Sequence, residues 1–151
     1  MDSTSHNSHL LHHLSFVLLR QVEQAMQEQL GIGLSQYRIM AALQKDPYIQ
    51  QRQIAKNLSQ TEAAVSRQTK LLIKQGFIES TINPKNRRAH ITTLTSKGMR
   101  FTEMAESIYA KTHQSAMSAL SDKQQKALTE ALDIMYHLTH NVDGATKTAK
   151  N

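Results

Sequence analysis

At 151 residues, 39 % of them apolar, the chain has room for one domain, or one domain with a helical extension, around a modest core. No apolar run approaches the roughly 18 residues of a membrane span, and the polar, His/Ser-rich stretch Met1 to His9 lacks an export signal's apolar core, so a cytoplasmic protein is expected. Cysteine is absent, which excludes disulfides and thiolate chemistry, and the formal charge of +6 is concentrated: residues 45–100 hold eleven Lys/Arg against three acids, a balance suited to a polyanion partner.

Leu10, Leu14, Val17, Val22, Ala25 and Leu30 recur at helical steps, which predicts an amphipathic helix from about Leu10 to the stop at Gly31-Ile32-Gly33. Ser35 can cap a second helix, with Leu34 and Ile39 as its hydrophobic staple, ending at Asp46-Pro47 because the residue before proline is pushed out of the helical region. A short helix is expected over about Gln50 to Leu58, buried through Ile54, Ala55 and Leu58. Ser59-Gln60-Thr61-Glu62 has capping-box spacing, with Thr61 as the competing cap, and the helix that follows runs to about Gln75 and closes on Gly76. Three helices in so short a span, the last two joined by a tight polar turn, outline a helix-turn-helix.

Behind Gly76 the pattern becomes alternating. Residues 77–82 and 90–94 read as strands around the basic loop Asn83-Pro84-Lys85-Asn86-Arg87-Arg88-Ala89, the outline of a wing. Thr95 or Ser96 then caps a long helix with Phe101, Met104, Ala105, Ile108, Thr112, Ala116 and Leu120 on one face. A second capping box, Ser121 to Gln124, opens a last helix through Leu128, Leu132, Met135 and Leu138, before a polar tail expected to fray.

On the 61–75 helix, Val65, Thr69 and Leu72 share one side, and Ala63, Ser66, Arg67, Lys70 and Lys74 the other. Small residues let a backbone approach the major groove, Ser and Arg reach base edges, and Lys meets phosphate. An arginine presented by a hairpin can enter the narrow, negative minor groove, which singles out Arg87 and Arg88 beside Lys85. The candidate DNA-contacting set is Gln51, Thr61, Ala63, Ala64, Ser66, Arg67, Lys70, Lys74, Lys85, Arg87 and Arg88. Of the eight histidines, among them His6, His12, His113, His137 and His140, only the pair His9 and His13 approaches a chelating spacing on a helix face. No metal or other cofactor is therefore expected. With no glycine-rich phosphate loop, no nucleophile elbow, and the acids Glu103 and Glu106 on a solvent-like face, the chain is not expected to be an enzyme.

These features together resemble the MarR family of bacterial winged-helix regulators over about Leu10 to Leu138. The resemblance is carried by Leu34-Ser35-Gln36-Tyr37-Arg38-Ile39-Met40, by Gln53-Ile54-Ala55-Lys56-Asn57-Leu58, and by Ala64-Val65-Ser66-Arg67 through Leu71-Leu72 to Gly76-Phe77-Ile78. The wing closing on Leu94-Thr95-Ser96-Lys97-Gly98 completes it. It implies a mainly α fold with a small two- to three-stranded β wing, a winged helix-turn-helix at 34–94, and helical dimerisation segments at 10–33 and 95–140. Residues 1–9 and 141–151 are left as a flexible start and tail. It also implies a homodimer on a pseudo-palindromic operator of double-stranded DNA, acting as a repressor and released by a small aromatic or anionic effector. Leu10, Leu14, Val17, Leu128, Leu132, Met135 and Leu138 are the dimerisation candidates, apolar faces that a monomer of this size would struggle to cover. The family's wing pattern Asp-x-Arg falls here on Asn86 and Arg88, so the pairing is neutral rather than charge-assisted. The competing expectation is an adaptor that keeps the fold without an operator; the basic helix face and basic wing argue against it.

Overall fold

The computed structural model describes residues 2–145, and of their side chains all except those of residues 87–90 and 140–145. In chain order the elements are α1 (Ser3–Leu30), α2 (Leu34–Lys45), α3 (Gln51–Asn57), α4 (Glu62–Lys74), β1 (Ile78–Asn83), β2 (Asn86–Leu94), α5 (Ser96–Ser118) and α6 (Asp122–Ala145). The chain is mainly α, with a two-stranded antiparallel sheet, and it divides into two compact units, Met1–Thr112 and His113–Asn151. No helix among the described residues is long and apolar enough to cross a membrane.

The first unit is built around one apolar cluster, with Val22 and Met26 of α1, Ile39, Met40 and Leu43 of α2, Ile54 and Ala55 of α3, Val65 and Leu72 of α4, and Phe77, Ile78, Ala105 and Ile108 behind them. Apolar spacing placed every one of these helices. Their boundaries obey local chemistry where the sequence offers one signal, and a tertiary partner where it offers two.

Helix α1 starts at Ser3, seven residues ahead of the expected Leu10, so residues set aside as a flexible start lie within it from Ser3 onward. Asp2 supplies the cap, its carboxylate accepting from the Thr4 N–H at 3.5 Å. Gly31, with φ +66, closes the helix through its N–H on the Gln27 carbonyl. Helix α2 is capped by Gly33 and not by Ser35. The physical reason lies upstream: the Glu23 carboxylate of α1 accepts from the Leu34 N–H at 2.6 Å, and the Gln36 side-chain oxygen accepts from the Gly33 N–H at 2.9 Å. Together they satisfy the Gly33 and Leu34 donors at the helix start, and the Tyr37 N–H bonds the Gly33 carbonyl, so the helix opens two residues before Ser35; the staple positions move to Ile32 and Tyr37.

Thr61 caps α4, its hydroxyl accepting from the Ala64 N–H at 3.1 Å, while Ser59 ends α3 in the left-handed region at φ +52. The C-terminus of α4 is a Schellman closure: the Gly76 N–H reaches the Ile73 carbonyl and the Phe77 N–H the Leu72 carbonyl, with Gly76 at φ +73. Ordered pairing runs from Ile78 opposite Leu94 to Ile82 opposite His90, after which Asn83 sits opposite Asn86. The expected seven-residue loop is thus a tight turn over Pro84 and Lys85, closed by the Lys85 N–H on the Asn83 side chain at 2.9 Å. Arg87 and Arg88 belong to β2, in the stretch 87–89 skipped by the pairing.

Helix α5 opens on Thr95, whose hydroxyl accepts from the Gly98 N–H at 3.1 Å. Its buried stripe is Gly98, Thr102, Ala105 and Ile108, with Phe101 beside it. Met104 and Ala116, expected on that face, are exposed; the buried stripe instead starts from Gly98, whose backbone lies against Phe77. In the second unit, Ser121 and Gln124 form the expected reciprocal cap, and the Gln125 amide holds the Met117 and Leu120 carbonyls across the turn. Helix α6 continues to Ala145, into the segment 141–151 expected to fray, of which residues 146–151 lie outside the described residues.

Candidate nucleic-acid interface

The turn between α3 and α4 spans four residues, Leu58 to Thr61. The Leu58 N–H bonds the Ile54 carbonyl, the Ser59 N–H that of Lys56, and the Gln60 N–H that of Ala55. The Gln60 side chain then meets the Ser35 hydroxyl, its amide donating at 3.0 Å, which anchors the turn to α2. From this anchor α4 turns Val65, Thr69 and Leu72 inward, with the Thr69 hydroxyl donating to the Val65 carbonyl at 2.8 Å.

The opposite face is the one the sequence singled out. Ala63, Arg67, Lys70 and Lys74 are exposed, Ala64 and Ser66 half-buried, and Thr61 and Gln51 exposed at the starts of α4 and α3. Among the described residues Arg67, Lys70 and Lys74 form no ion pair, so their charge is available to a ligand. The nearby acid Glu62 faces Arg52 of α3 at 3.9 Å, a solvent-exposed pair that offsets its charge at the edge of the cationic face. Sequence reasoning missed Arg52, because its partner is on the next helix.

The wing is tied to the back of α4. The Lys97 ammonium donates to the Gln75 carbonyl at 2.8 Å and lies 4.4 Å from the centre of the Phe77 ring. The Phe77 ring packs on Phe101, centroids 4.8 Å apart, and the Phe77 carbonyl accepts from the Thr95 N–H at 3.0 Å. Lys97 is thereby a helix cap for α4 and no part of the outward cationic face. Lys85 is exposed in the wing turn. The side chains of Arg87 and Arg88 lie outside the described residues.

A groove of about 540 Å³ in the first unit runs past the same turn, lined by Tyr37, Arg38, Ala41, Asn57, Leu58, Ser59 and Tyr109. A second depression of about 390 Å³ shares Tyr37 and Ala41 and adds Gln44, Lys45, Thr102 and Glu106. The Tyr37 and Tyr109 rings are 6.2 Å apart. Burial pushes the Tyr37 hydroxyl above its ordinary pKa, helped by Glu106 and Tyr109 and opposed by Arg38, so it stays a proton donor. Among the described residues no three of His, Asp or Glu come together as metal ligands.

Most of the residues expected to serve dimerisation are exposed. On α1, Leu10 and Leu14 are exposed, with Leu11, Phe16 and Leu19, and Val17 is half-buried. On α6, Leu132, Met135 and Leu138 are exposed, with Ile134 and Tyr136, and Leu128 is half-buried.

The family model described as the MarR family matches residues 32–90, from just before α2 into β2 of the wing. The HTH-type transcriptional regulator BilQ of Clostridium symbiosum (strain WAL-14163) is 31 % identical over 98 residues, spanning 65 % of this chain and 68 % of the relative. The fold is similar to that of S. aureus MepR, solved in complex with DNA: TM-score 0.74, 24 % identity, 86 % of this chain and 96 % of the other. It is also similar to the Mycobacterium tuberculosis MarR family protein Rv2887, solved with p-aminosalicylic acid: TM-score 0.71, 21 % identity, 85 % of this chain and 96 % of that one.

Proposed function

The chain belongs to the MarR family of transcriptional regulators, and on that premise we propose that it is a homodimeric repressor that reads a pseudo-palindromic operator through α4 and the wing. The observation that carries this reading is the outward face of α4: exposed Arg67, Lys70 and Lys74 around small Ala63 and half-buried Ser66, on a helix held from behind by a packed apolar stripe. In this reading Arg67 and Ser66 meet base edges, Lys70, Lys74 and Gln51 meet phosphates, and Lys85, Arg87 and Arg88 serve the adjacent minor groove. The exposed apolar residues of α1 and α6 supply the dimer contact, an isologous and largely apolar surface. That S. aureus MepR is solved with DNA supports the same use of the shared fold.

The effector belongs in the groove beside the turn. Two tyrosine rings and the Arg38 guanidinium suit a small aromatic anion, and Ser59 in the groove wall connects occupancy to the α3–α4 turn. Rv2887 holds such a compound, which supports the ligand class.

The test is selection of duplexes from a randomised library by the purified protein, followed by binding at several salt concentrations. A two-fold symmetric selected site and an affinity falling by about 0.9 in log K per contacted phosphate for each log unit of salt are expected. Light scattering should give a dimer mass at micromolar concentration. A stable monomer, or binding without sequence preference, overturns the reading.

A further inference from the structure

Gln36 is a buried polar side chain, 7 % exposed, in the first turn of α2. Its oxygen accepts from the Gly33 N–H at 2.9 Å, and its amide donates to the Gln75 side chain at 3.2 Å. Gln75 is the residue that ends α4, and its carbonyl also accepts from Lys97 at 2.8 Å. On the other side, Glu23 of α1 holds the neighbouring Leu34 N–H at 2.6 Å. We propose that Gln36 is a positioning residue for DNA recognition, an amide bridge that fixes the rotation of α4 about its own axis; this role rests on the DNA-binding reading above.

Apolar packing alone does not set that rotation. Val65 and Leu72 contribute non-directional contacts, which oppose a small roll less sharply than a directional bond does. A recognition geometry tolerates only about 10–20° of misorientation before base contacts are lost, whereas a long lysine follows a phosphate through a larger roll. A directional hydrogen bond at the end of α4 removes this freedom, and two such bonds converge there, one to the Gln75 side chain and one to its carbonyl. Burial makes the bridge specific, since an amide with 7 % exposure has little water to exchange with.

The experiment uses the full chain, a duplex selected from a random library by the wild type, and a scrambled duplex of the same composition. Gln36→Met keeps the volume and removes both bonds; Gln75→Met removes the bridge from its less buried side, so a folding failure of the first variant leaves the second to decide. Both should lower the ratio of selected to scrambled affinity by roughly five- to tenfold, the loss one neutral buried hydrogen bond represents. Affinity for the scrambled duplex and its salt slope should stay at wild-type values, and the double variant should lose no more than the single ones. A lower melting temperature with an unchanged ratio, or additive losses, overturns the positioning role alone. A wild type that selects no sequence overturns the DNA reading and this role with it.

Discussion

Gly98 joins the wing to α5, and its replacement by alanine has a magnitude that can be worked from the structure. A Cβ at this position would lie 1.9 Å from the Phe77 carbonyl oxygen and 2.9 Å from its carbon, where real contacts are not found under 3.0 Å. The neighbour is backbone, so no rotamer change relieves the collision, and the two segments must part by about an ångström. Parting them stretches the Phe77 carbonyl away from the Thr95 N–H, now at 3.0 Å, at about 1 kcal/mol for the bond lost; the single Thr95 hydroxyl proton has its shorter bond to the Gly76 carbonyl at 2.7 Å. Overpacking adds about 1–3 kcal/mol. Against this, alanine in place of glycine within a helix returns about 1 kcal/mol. The collision wins, leaving a net destabilisation of about 1–3 kcal/mol, or a fall in melting temperature of roughly 2–12 °C. Urea unfolding at one fixed protein concentration measures it, fixed because the proposed dimerisation would make the midpoint concentration-dependent. A Gly98→Ala protein as stable as wild type, or more so, would refute the reasoning, since helix propensity would then outweigh the contact.

Other substitutions separate roles within the interface. Arg67→Ala should cost about 1–3 kcal/mol on a selected duplex and relax sequence preference, whereas Lys74→Ala should weaken all duplexes evenly and flatten the salt dependence by about one unit; equal losses on selected and scrambled DNA would remove Arg67 from base reading. Ser59→Gly relieves a left-handed serine at φ +52, worth about 1–2 kcal/mol, at an entropic cost of about 0.5–1 kcal/mol, so the urea midpoint should rise slightly with an unchanged slope; a lowered midpoint contradicts this. Asn86→Asp should tighten binding to A·T-flanked sites by restoring a charge-assisted partner for Arg88, while Arg88→Ala should lose affinity. Wild-type binding by Arg88→Ala would exclude that residue from the minor groove.

What was legible in the sequence was whatever a residue decides with its immediate neighbours. Gly76 had to close α4 because no other nearby residue takes φ +73 without strain, and Pro47 had to end α2 at Lys45. The two faces of α4 follow from period alone: Val65, Thr69 and Leu72 are buried and Ala63, Arg67, Lys70 and Lys74 exposed, while Ala64 and Ser66 are half-buried between them. The long exposed apolar residues of α1 and α6 were likewise visible in spacing.

What was not legible depended on partners distant in the chain. Ser35 is the cap that local spacing offers, but Glu23, eleven residues upstream of Leu34, reaches over to accept its N–H and the helix opens at Gly33. The wing shows the same limit. A turn-rich basic segment reads as loop, yet cross-strand pairing extends β2 back to Asn86 and moves Arg87 and Arg88 from a loop tip into a strand. The choice between Ser59 and Thr61 shows why such distant contacts matter for the site. Had Ser59 capped α4, the helix would begin at Gln60, leaving almost no chain between it and the end of α3 at Asn57. With Ser59 left-handed, the Gln60 N–H instead turns back onto the Ala55 carbonyl, and its side chain reaches Ser35 on α2. The same two residues thus set the length of the turn and fasten it to the core. The cap that lost as a local signal is the residue that makes the crossing of α3 and α4 possible.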